Sequence, residues 1–517
     1  MFKKTLLLSL VATTLLATNG VNLIGTSTVS RSMGGTGVAF YSHATEAMHK
    51  NISLLGDIGK DEFQFDVTYF NATVNSTLYD KMPLNANLAP VANLSSYNGP
   101  TTASSQNMLD TNFIPSLSYA TRINDNTVFG LAMIGAAGLA TQYEGEYSQR
   151  QMNSSMLLMK IIPGISYRQG NTTFGFAPVL GLGSMSLNYD EAYKDESGNA
   201  YPYGTKPQSQ RDGVFGTNVG GGELVPAIGF TAGIDIKVTP KLRVAASYNS
   251  ALKYTYKDVA NFSQFGPTGM VYMADEWMLN NTGVGLSDGD ISTISDQLMA
   301  AGFDQIPGGQ LAADAIEALA GTGTIQGSLD ATNPNNLDSL TLEQPWEIAL
   351  GFAYDIIDDT VFTFDYRYIA WAMADGYKDF GWDNQHVYAF GIEHKADRYS
   401  LRAGYNYANS PISNKTGEMG ALLTDVQGHL VFDQAVSMLN MVGFPAISTT
   451  HFSVGIGYAL TNDVDFDFAA VYSPEATTTR VGSLSPIQTG FDTLDMSYEY
   501  GSTMEQLSLS FGINYRY

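Results

Sequence analysis

Cysteine is absent from the 517 residues, so no disulfide staples this fold and its stability rests on another device. Charge is scarce: Asp, Glu, Lys and Arg make up 15% of the chain, against roughly 25% in an ordinary soluble protein. Only 26 Lys and Arg stand against 50 Asp and Glu, a formal net charge of −24. That balance argues against a nucleic-acid partner, because phosphate binding needs clustered cations. It does not exclude a bilayer, because hydrocarbon forbids lipid-facing charge rather than total charge. Past the N-terminus, no run reaches the about 18 apolar residues that a spanning helix needs. Catalytic patterns are lacking too. His43, His49, His386, His394, His429 and His451 are scattered, and none sits in a Gly-x-Ser-x-Gly or His-Glu-x-x-His setting. His386 and His394 follow the alternation of Tyr388 and Phe390 and read as interfacial residues. Asp288-Gly289-Asp290 is too short for a calcium loop. Gly35-Thr36-Gly37 lacks the third glycine and the strand of a dinucleotide loop. No catalytic residue, metal site or cofactor is expected.

Glycine and aromatics are plentiful, with 52 Gly, 30 Tyr and 26 Phe, which suits many strands joined by turns. Lys3 and Lys4 precede the apolar run Leu6–Leu16, and small residues follow. This pattern predicts a signal peptide over residues 1–17, cleaved after Ala17, although Leu15 departs from the small-x-small rule. After residue 60 the dominant signal has period two. Phe63-Gln64-Phe65-Asp66-Val67-Thr68-Tyr69, Trp346–Ile356, Phe362–Tyr368 and Leu507–Tyr517 each present one apolar and one polar face. Spanning strands need about 9–11 residues, and these segments match. Short turns fall at Asn124-Asp125, Gly170-Asn171, Thr239-Pro240, Asp358-Asp359, Ala396-Asp397 and Asn462-Asp463. Long polar connections fall near 74–110, 189–221, 258–342, 373–383, 411–447 and 476–500, with a shorter one near 141–150. Short periplasmic turns alternating with longer external loops are the pattern of an outer-membrane barrel. Six turns and seven external connections give an all-β, fourteen-stranded antiparallel transmembrane barrel over 59–517. Closure is required because an open sheet edge has no partner in hydrocarbon.

Residues 18–58 do not alternate. Met33-Gly34-Gly35-Thr36-Gly37 is glycine-rich, and Ala44–Met48 reads as a helical turn. Such a segment is either a hatch inside the barrel or a periplasmic tail. Within 258–342, Asp290 caps one predicted helix, and Leu311–Ala320 forms a second. They form either a greasy landing site or a loop packed on itself. Alternation also turns Arg243, Arg367 and Arg402 into the lumen. An arginine fork there binds a substrate carboxylate, or it pairs with lumenal acids such as Asp365, Glu347 or Asp467 and fixes the interior.

Several stretches, in order, resemble the FadL family of long-chain fatty acid transporters over nearly the whole chain. They are Asn19–Leu23, Met33–Ala39, Gly130–Thr141, Leu242–Ser250, Gln344-Pro345-Trp346-Glu347, Trp371, Trp382 and Leu401–Pro411. The resemblance implies a barrel plugged by an N-terminal hatch that includes Met33, Gly34, Gly35, Gly37 and Asn51. It also implies lateral exit of substrate at a kinked third strand, where Gly135 and Gly138 are candidates; packing of the plug against a bare wall is their other reading. One departure stands out: the family hatch usually ends in Asn-Pro-Ala, and here Asn51-Ile52-Ser53 takes that place. The expected function is passive uptake of long-chain fatty acids or similar hydrophobic molecules through the outer membrane of a Gram-negative bacterium. Aromatic hydrocarbon uptake and a non-selective porin are the alternatives. Expected neighbours are outer-membrane lipid and lipopolysaccharide, around a monomer without nucleic acid.

Overall fold

Alternating segments with a polar and an apolar face need one wet and one dry side, and the strands provide them in the reverse of the usual sense. The computed structural model describes residues 19–81, 101–106, 111–142, 153–190, 216–219, 224–261, 329–330, 333–378, 381–412, 439–487 and 494–517. The signal peptide and the two loop helices expected from the sequence lie outside the described residues. Fourteen staves form one antiparallel sheet. They are β1 (Glu62–Lys81), β2 (Thr101–Gln106 and Thr111–Asn124), β3 (Thr127–Gln142), β4 (Asn153–Gln169), β5 (Thr172–Asp190), β6 (Gly216–Val219 and Val225–Lys237) and β7 (Leu242–Asn249 and Leu252–Asn261). Then come β8 (Asn333–Gln344 and Glu347–Ile357), β9 (Thr360–Ile369), β10 (Gln385–Ala396), β11 (Tyr399–Ala408), β12 (Thr450–Ala459), β13 (Val464–Ile487) and β14 (Leu494–Arg516). β1 and β14 close the ring, paired from Glu62–Arg516 to Lys81–Ser497.

On β1, Phe63 is 43% exposed while Gln64 is 1% exposed. Glu62, Asp66 and Thr68 are buried with Gln64. Leu350, Val454 and Phe452 are likewise exposed, while Asp365, Arg367 and Asp467 are buried. Apolar-out and polar-in is the signature of a barrel whose solvent is lipid. Rings run in rows around the outside: Phe352, Phe364, Phe390, Tyr405 and Phe452 follow one another at centroid spacings of 5.6, 5.0, 6.3 and 5.4 Å. Hairpins turn at the positions the sequence marks. Asp359 and Asp397 take φ of 62° and 56° there, which short side chains able to bond locally tolerate.

One connection is shorter than the sequence reading has it. Residues 476–500 are largely strand: β13 and β14 stay paired from Ala476–Met504 to Leu484–Met496, and again at Ile487–Leu494. Their polar stretch Thr477-Thr478-Thr479 lacks the period-two signal, so it reads as a loop in the sequence.

The N-terminal segment lies in the lumen. Helix α1 (Thr28–Ser32), helix α2 (Ala44–Lys50) and a 3₁₀ turn (Ile52–Asp57) pack against the inner wall. Wall carboxylates seat it through backbone amides: Asp66 accepts from Thr28 N at 2.8 Å, Asp365 from Gly37 N at 2.7 Å and Val38 N at 3.0 Å, and Glu62 from Ala44 N at 2.5 Å. Met33 is fully buried. Gly34 and Gly35 take φ of +68° and +81°, a region that side chains resist. Gly404 of β11 faces Gly34, and a Cβ on Gly404 would stand 2.0 Å from the Gly34 nitrogen. Gly404→Val should therefore unseat the hatch, since overpacking costs about 1–3 kcal/mol, or about five- to a hundredfold in the opened population. Limited proteolysis of the hatch in a barrel with normal heat-modifiable migration measures it; unchanged protection would refute the contact's importance.

Candidate functional site: an apolar cluster above a polar hatch

The lumen changes character along its axis. Going up β1 from the short-turn end, the inward residues are Glu62, Gln64, Asp66 and Thr68, and then Phe70, Ala72 and Val74, all buried. The polar half surrounds the hatch. The apolar half is a packed cluster that includes Phe70, Val74, Ile114, Ile134, Met156 and Leu158. Within it, Trp371, Tyr377 and Trp382 form a three-ring group with centroids 4.6, 5.0 and 4.7 Å apart. The polar edges of these rings are satisfied. Trp371 Nε1 donates to Gln385 at 2.8 Å, Trp382 Nε1 to Asn440 at 2.9 Å, and the Tyr377 hydroxyl to Met156 Sδ at 3.4 Å. The stretch 439–448 lies against this cluster, with Met441, Phe444, Ala446 and Ile447 buried. Thr141 Oγ1 and Ser154 Oγ anchor it through the Gly443 carbonyl, at 3.3 and 2.5 Å.

The strand pairing of the wall is irregular beside this cluster. β2 and β3 pair from Asn124–Thr127 up to Ser116–Ile134. The next residue of β2 is Pro115, which has no amide proton to donate to a ladder. The described pairing of β2 with β3 stops there. On its other side β3 carries a register shift against β4 between Gly135 and Ala137. The hatch bonds to this edge at the bulge: Asn22 bridges Ala137, and Gly138 N donates to Val21 O at 3.2 Å. Gly135 and Gly138 thus flank a bulge. Up to that point, the register places Val128, Ala132 and Ile134 inward and Leu131 outward.

Arg243, Arg367 and Arg402 all point into the lumen, and carboxylates hold each of them. Arg402 Nε and Nη1 donate to Glu393 and Asp467, both at 2.6 Å. Arg367 lies 3.4 Å from Glu347. Arg243 pairs with Asp235 at 3.1 Å and with Asp57 of the hatch, which Arg168 and Lys237 also contact. Burial raises the Asp57 pKa, but Arg243 and Lys237 override that and hold it below the usual range. The three arginines therefore sit apart, in separate ion-pair groups around the hatch. Asn51 needs no proline after it. Its Oδ1 accepts from Ser53 N at 3.2 Å and Ser53 Oγ at 2.7 Å, and its Nδ2 donates to Val38 O at 2.8 Å. The side chain itself caps the 3₁₀ turn.

A sequence profile described as outer membrane protein transport protein (OMPP1/FadL/TodX) matches residues 9–420. The chain belongs to this FadL/TodX family. Its members are outer-membrane transport proteins, and the closed fourteen-stranded barrel places this one in the outer membrane of a Gram-negative bacterium. Among solved structures, a FadL homologue from Pseudomonas aeruginosa aligns with a TM-score of 0.58 at 14% identity, over 96% of this chain and 99% of that one. The toluene transporter TodX of Pseudomonas putida aligns with a TM-score of 0.54 at 15% identity, again over 96% and 99%. At such identity the likeness speaks for the fold alone. Among curated proteins, none matches this family member by sequence.

Some site features escape the sequence reading. Pro115 inside β2 was a usable signal for the irregular pairing. Lys160, alone in the apolar run Met156–Ile162, was another. The clamp on Asp57 joins residues more than 100 positions apart, which no local pattern announces.

Proposed function

We propose that this FadL/TodX-family protein carries long-chain fatty acids, or hydrophobic molecules of similar size, from outside into the outer membrane. The observation that supports it is the buried apolar cluster lying beside the bulge of β3 at Gly135–Ala137, where Asn22 and Val21 of the hatch bond to the strand edge. A hydrocarbon tail gains about 0.8 kcal/mol for each methylene it buries there. The step out of the cluster is then lateral, between β2 and β3 at Gly135–Gly138, once Val21 and Asn22 withdraw from the strand edge. Arg243, Arg367 and Arg402 act in this reading chiefly as clamps that keep the hatch seated and the lumen closed to water. The filled lumen sets the reading apart from a porin.

A second reading, aromatic hydrocarbon uptake, is favoured by the ring cluster Trp371–Tyr377–Trp382, which offers faces for a flat guest. Uptake of labelled oleate and labelled toluene by cells with and without the gene separates the two. Oleate uptake that depends on the gene, several-fold above toluene, is expected; the reverse ratio would replace the first reading with the second.

A further inference from the structure

β6 and β7 run as a regular antiparallel pair only from Lys237–Arg243 to Thr231–Asn249. Two bonds cap that pairing: Ser250 N donates to Phe230 O at 2.9 Å, and Phe230 N to Ser250 Oγ at 2.8 Å. Beyond them the strands part. Val225–Phe230 remain on β5, with Val225 opposite Gly183 and Phe230 opposite Pro178. The upper segment of β7 pairs with β8 instead, from Leu252–Gln344 onward. Among the described residues, β6 and β7 meet again only at Val219–Ala260.

Side chains explain the parting. Tyr254 and Tyr256 are buried and reach behind β6 to lie on glycines of β5. A Cβ on Gly181 would stand 2.4 Å from the Tyr254 hydroxyl oxygen, and one on Gly183 2.5 Å from Tyr254 Cδ1. This draws the upper half of β7 inward and leaves a slot in the hydrogen-bond ladder of the wall, filled by Ser250 and Leu252 lying against Gly229. Ile228 stands at its outer lip, 82% exposed and the most exposed large apolar side chain among the described residues.

The slot leads into a crevice. Phe230, Ser250 and Leu252 form its mouth, Ile162 and Val179 line its side, and Lys160 and His49 close its inner end. Lys160 projects inward from β4 and makes no ion pair or hydrogen bond with any described residue. Glu347, the acid whose field reaches it, is engaged by Arg367. Burial, with the charges of Lys50, Lys160 and Arg367 nearby, pushes the His49 pKa well below its ordinary value, so His49 brings no second cation. A lone ammonium among apolar walls is costly until an anion joins it. The crevice is closed down to about 10 Å³, room for about one water, so a hydrocarbon chain enters only once Phe230 and Leu252 swing aside.

We propose that the β6–β7 slot is a second lateral portal that binds an anionic single-chain amphiphile, a long-chain carboxylate, with its head on Lys160 Nζ and its tail passing between Phe230 and Leu252 into the bilayer. This rests on the reading of the protein as a carrier of hydrophobic compounds and adds a head-group site and a route to it. A neutral hydrocarbon gives no use for the unpaired Lys160; a carboxylate satisfies it with a charge-assisted hydrogen bond.

Full-length protein in proteoliposomes tests both parts. Lys160→Gln should weaken oleate binding by about tenfold, the worth of one charged hydrogen bond, and leave oleyl alcohol binding unchanged. Lys160→Arg should retain oleate binding. Loss of both ligands alike, or of neither, would overturn the head-group site. For the portal, Gly229→Cys with Ala251→Cys places two thiols on the facing strands; Gly229 lies directly against 250–252, and a Cβ there would stand 2.5 Å from Ser250 Oγ and 2.7 Å from Leu252 Cδ2, so those two side chains turn aside in the variant. The chain has no cysteine of its own, so the introduced pair has only itself to oxidise with. Oxidation should slow oleate delivery to the bilayer several-fold, and reductant should restore it, the reduced form serving as its own folding control. Equal delivery in the two redox states would overturn the portal. Wild-type protein that delivers no oleate at all would overturn the fatty-acid reading itself, and the portal with it.

Discussion

Removal of residues 18–58 should convert the protein into an open pore, with conductance in planar bilayers rising by about an order of magnitude or more, because a barrel of this strand number encloses a lumen whose polar half the hatch fills. The lower wall is already built for water. Glu62, Gln64, Asp66, Asp365, Arg367 and Asp467 all face inward and are buried beneath the hatch. Hatch amides and hydroxyls presently satisfy several of these acids: Glu62 also accepts from the Tyr41 hydroxyl at 2.7 Å, in addition to the Ala44 amide. Water replaces such donors at little cost once the segment is gone. Barrel closure does not depend on the hatch, since β1 and β14 pair directly along their whole shared length. The deletion protein should therefore keep β-rich circular dichroism and heat-modifiable migration. Conductance equal to wild type would mean that the upper stretch around Met441–Ile447 closes the lumen on its own.

The parts of this fold that were legible in the sequence are those set by local chemistry. The period of two in Phe63–Tyr69 and Trp346–Ile356 gave the strands, and polar pairs such as Asp358-Asp359 gave the turns. The same period turned Arg243, Arg367 and Arg402 inward, because a lipid-facing Leu242 or Leu401 leaves its neighbour no other side. What those arginines meet was less legible. Asp467 and Glu347 lie on nearby staves and were foreseeable as partners. Asp57 comes from the hatch, and its approach to Arg243 depends on how the plug folds within the closed ring. The extent of β13 and β14 was hidden for a different reason: their outer ends carry Thr and Ser on both faces, so the strand continues where the hydrophobic signal stops. The parting of β6 from β7 was also hidden. Tyr254 and Tyr256 look like ordinary strand aromatics until Gly181 and Gly183 are seen beneath them.

Replacing Gly135 and Gly138 together with valine should reduce fatty acid uptake by about tenfold or more, at normal folding and surface abundance, since β-branched side chains favour a regular pleated strand over a bulge. The geometry explains why this pair matters. Pairing of β3 with β2 stops at Ile134–Ser116, and the register against β4 slips between Gly135 and Ala137. Both glycines are buried, on the stretch where Asn22 and Val21 of the hatch sit against the strand edge. Valine there both straightens β3 and crowds the hatch residues that must move aside. A porin or an enzyme gives no reason for the effect, because neither needs a hole in its wall. Uptake retained in the valine protein would show that substrate leaves by another path. The β6–β7 slot is the first to examine, and adding the Gly229–Ala251 bridge to the same protein decides the matter. Uptake lost only when both sites are closed would give the barrel two lateral exits; uptake that survives both closures would point to passage straight down the lumen, past the hatch.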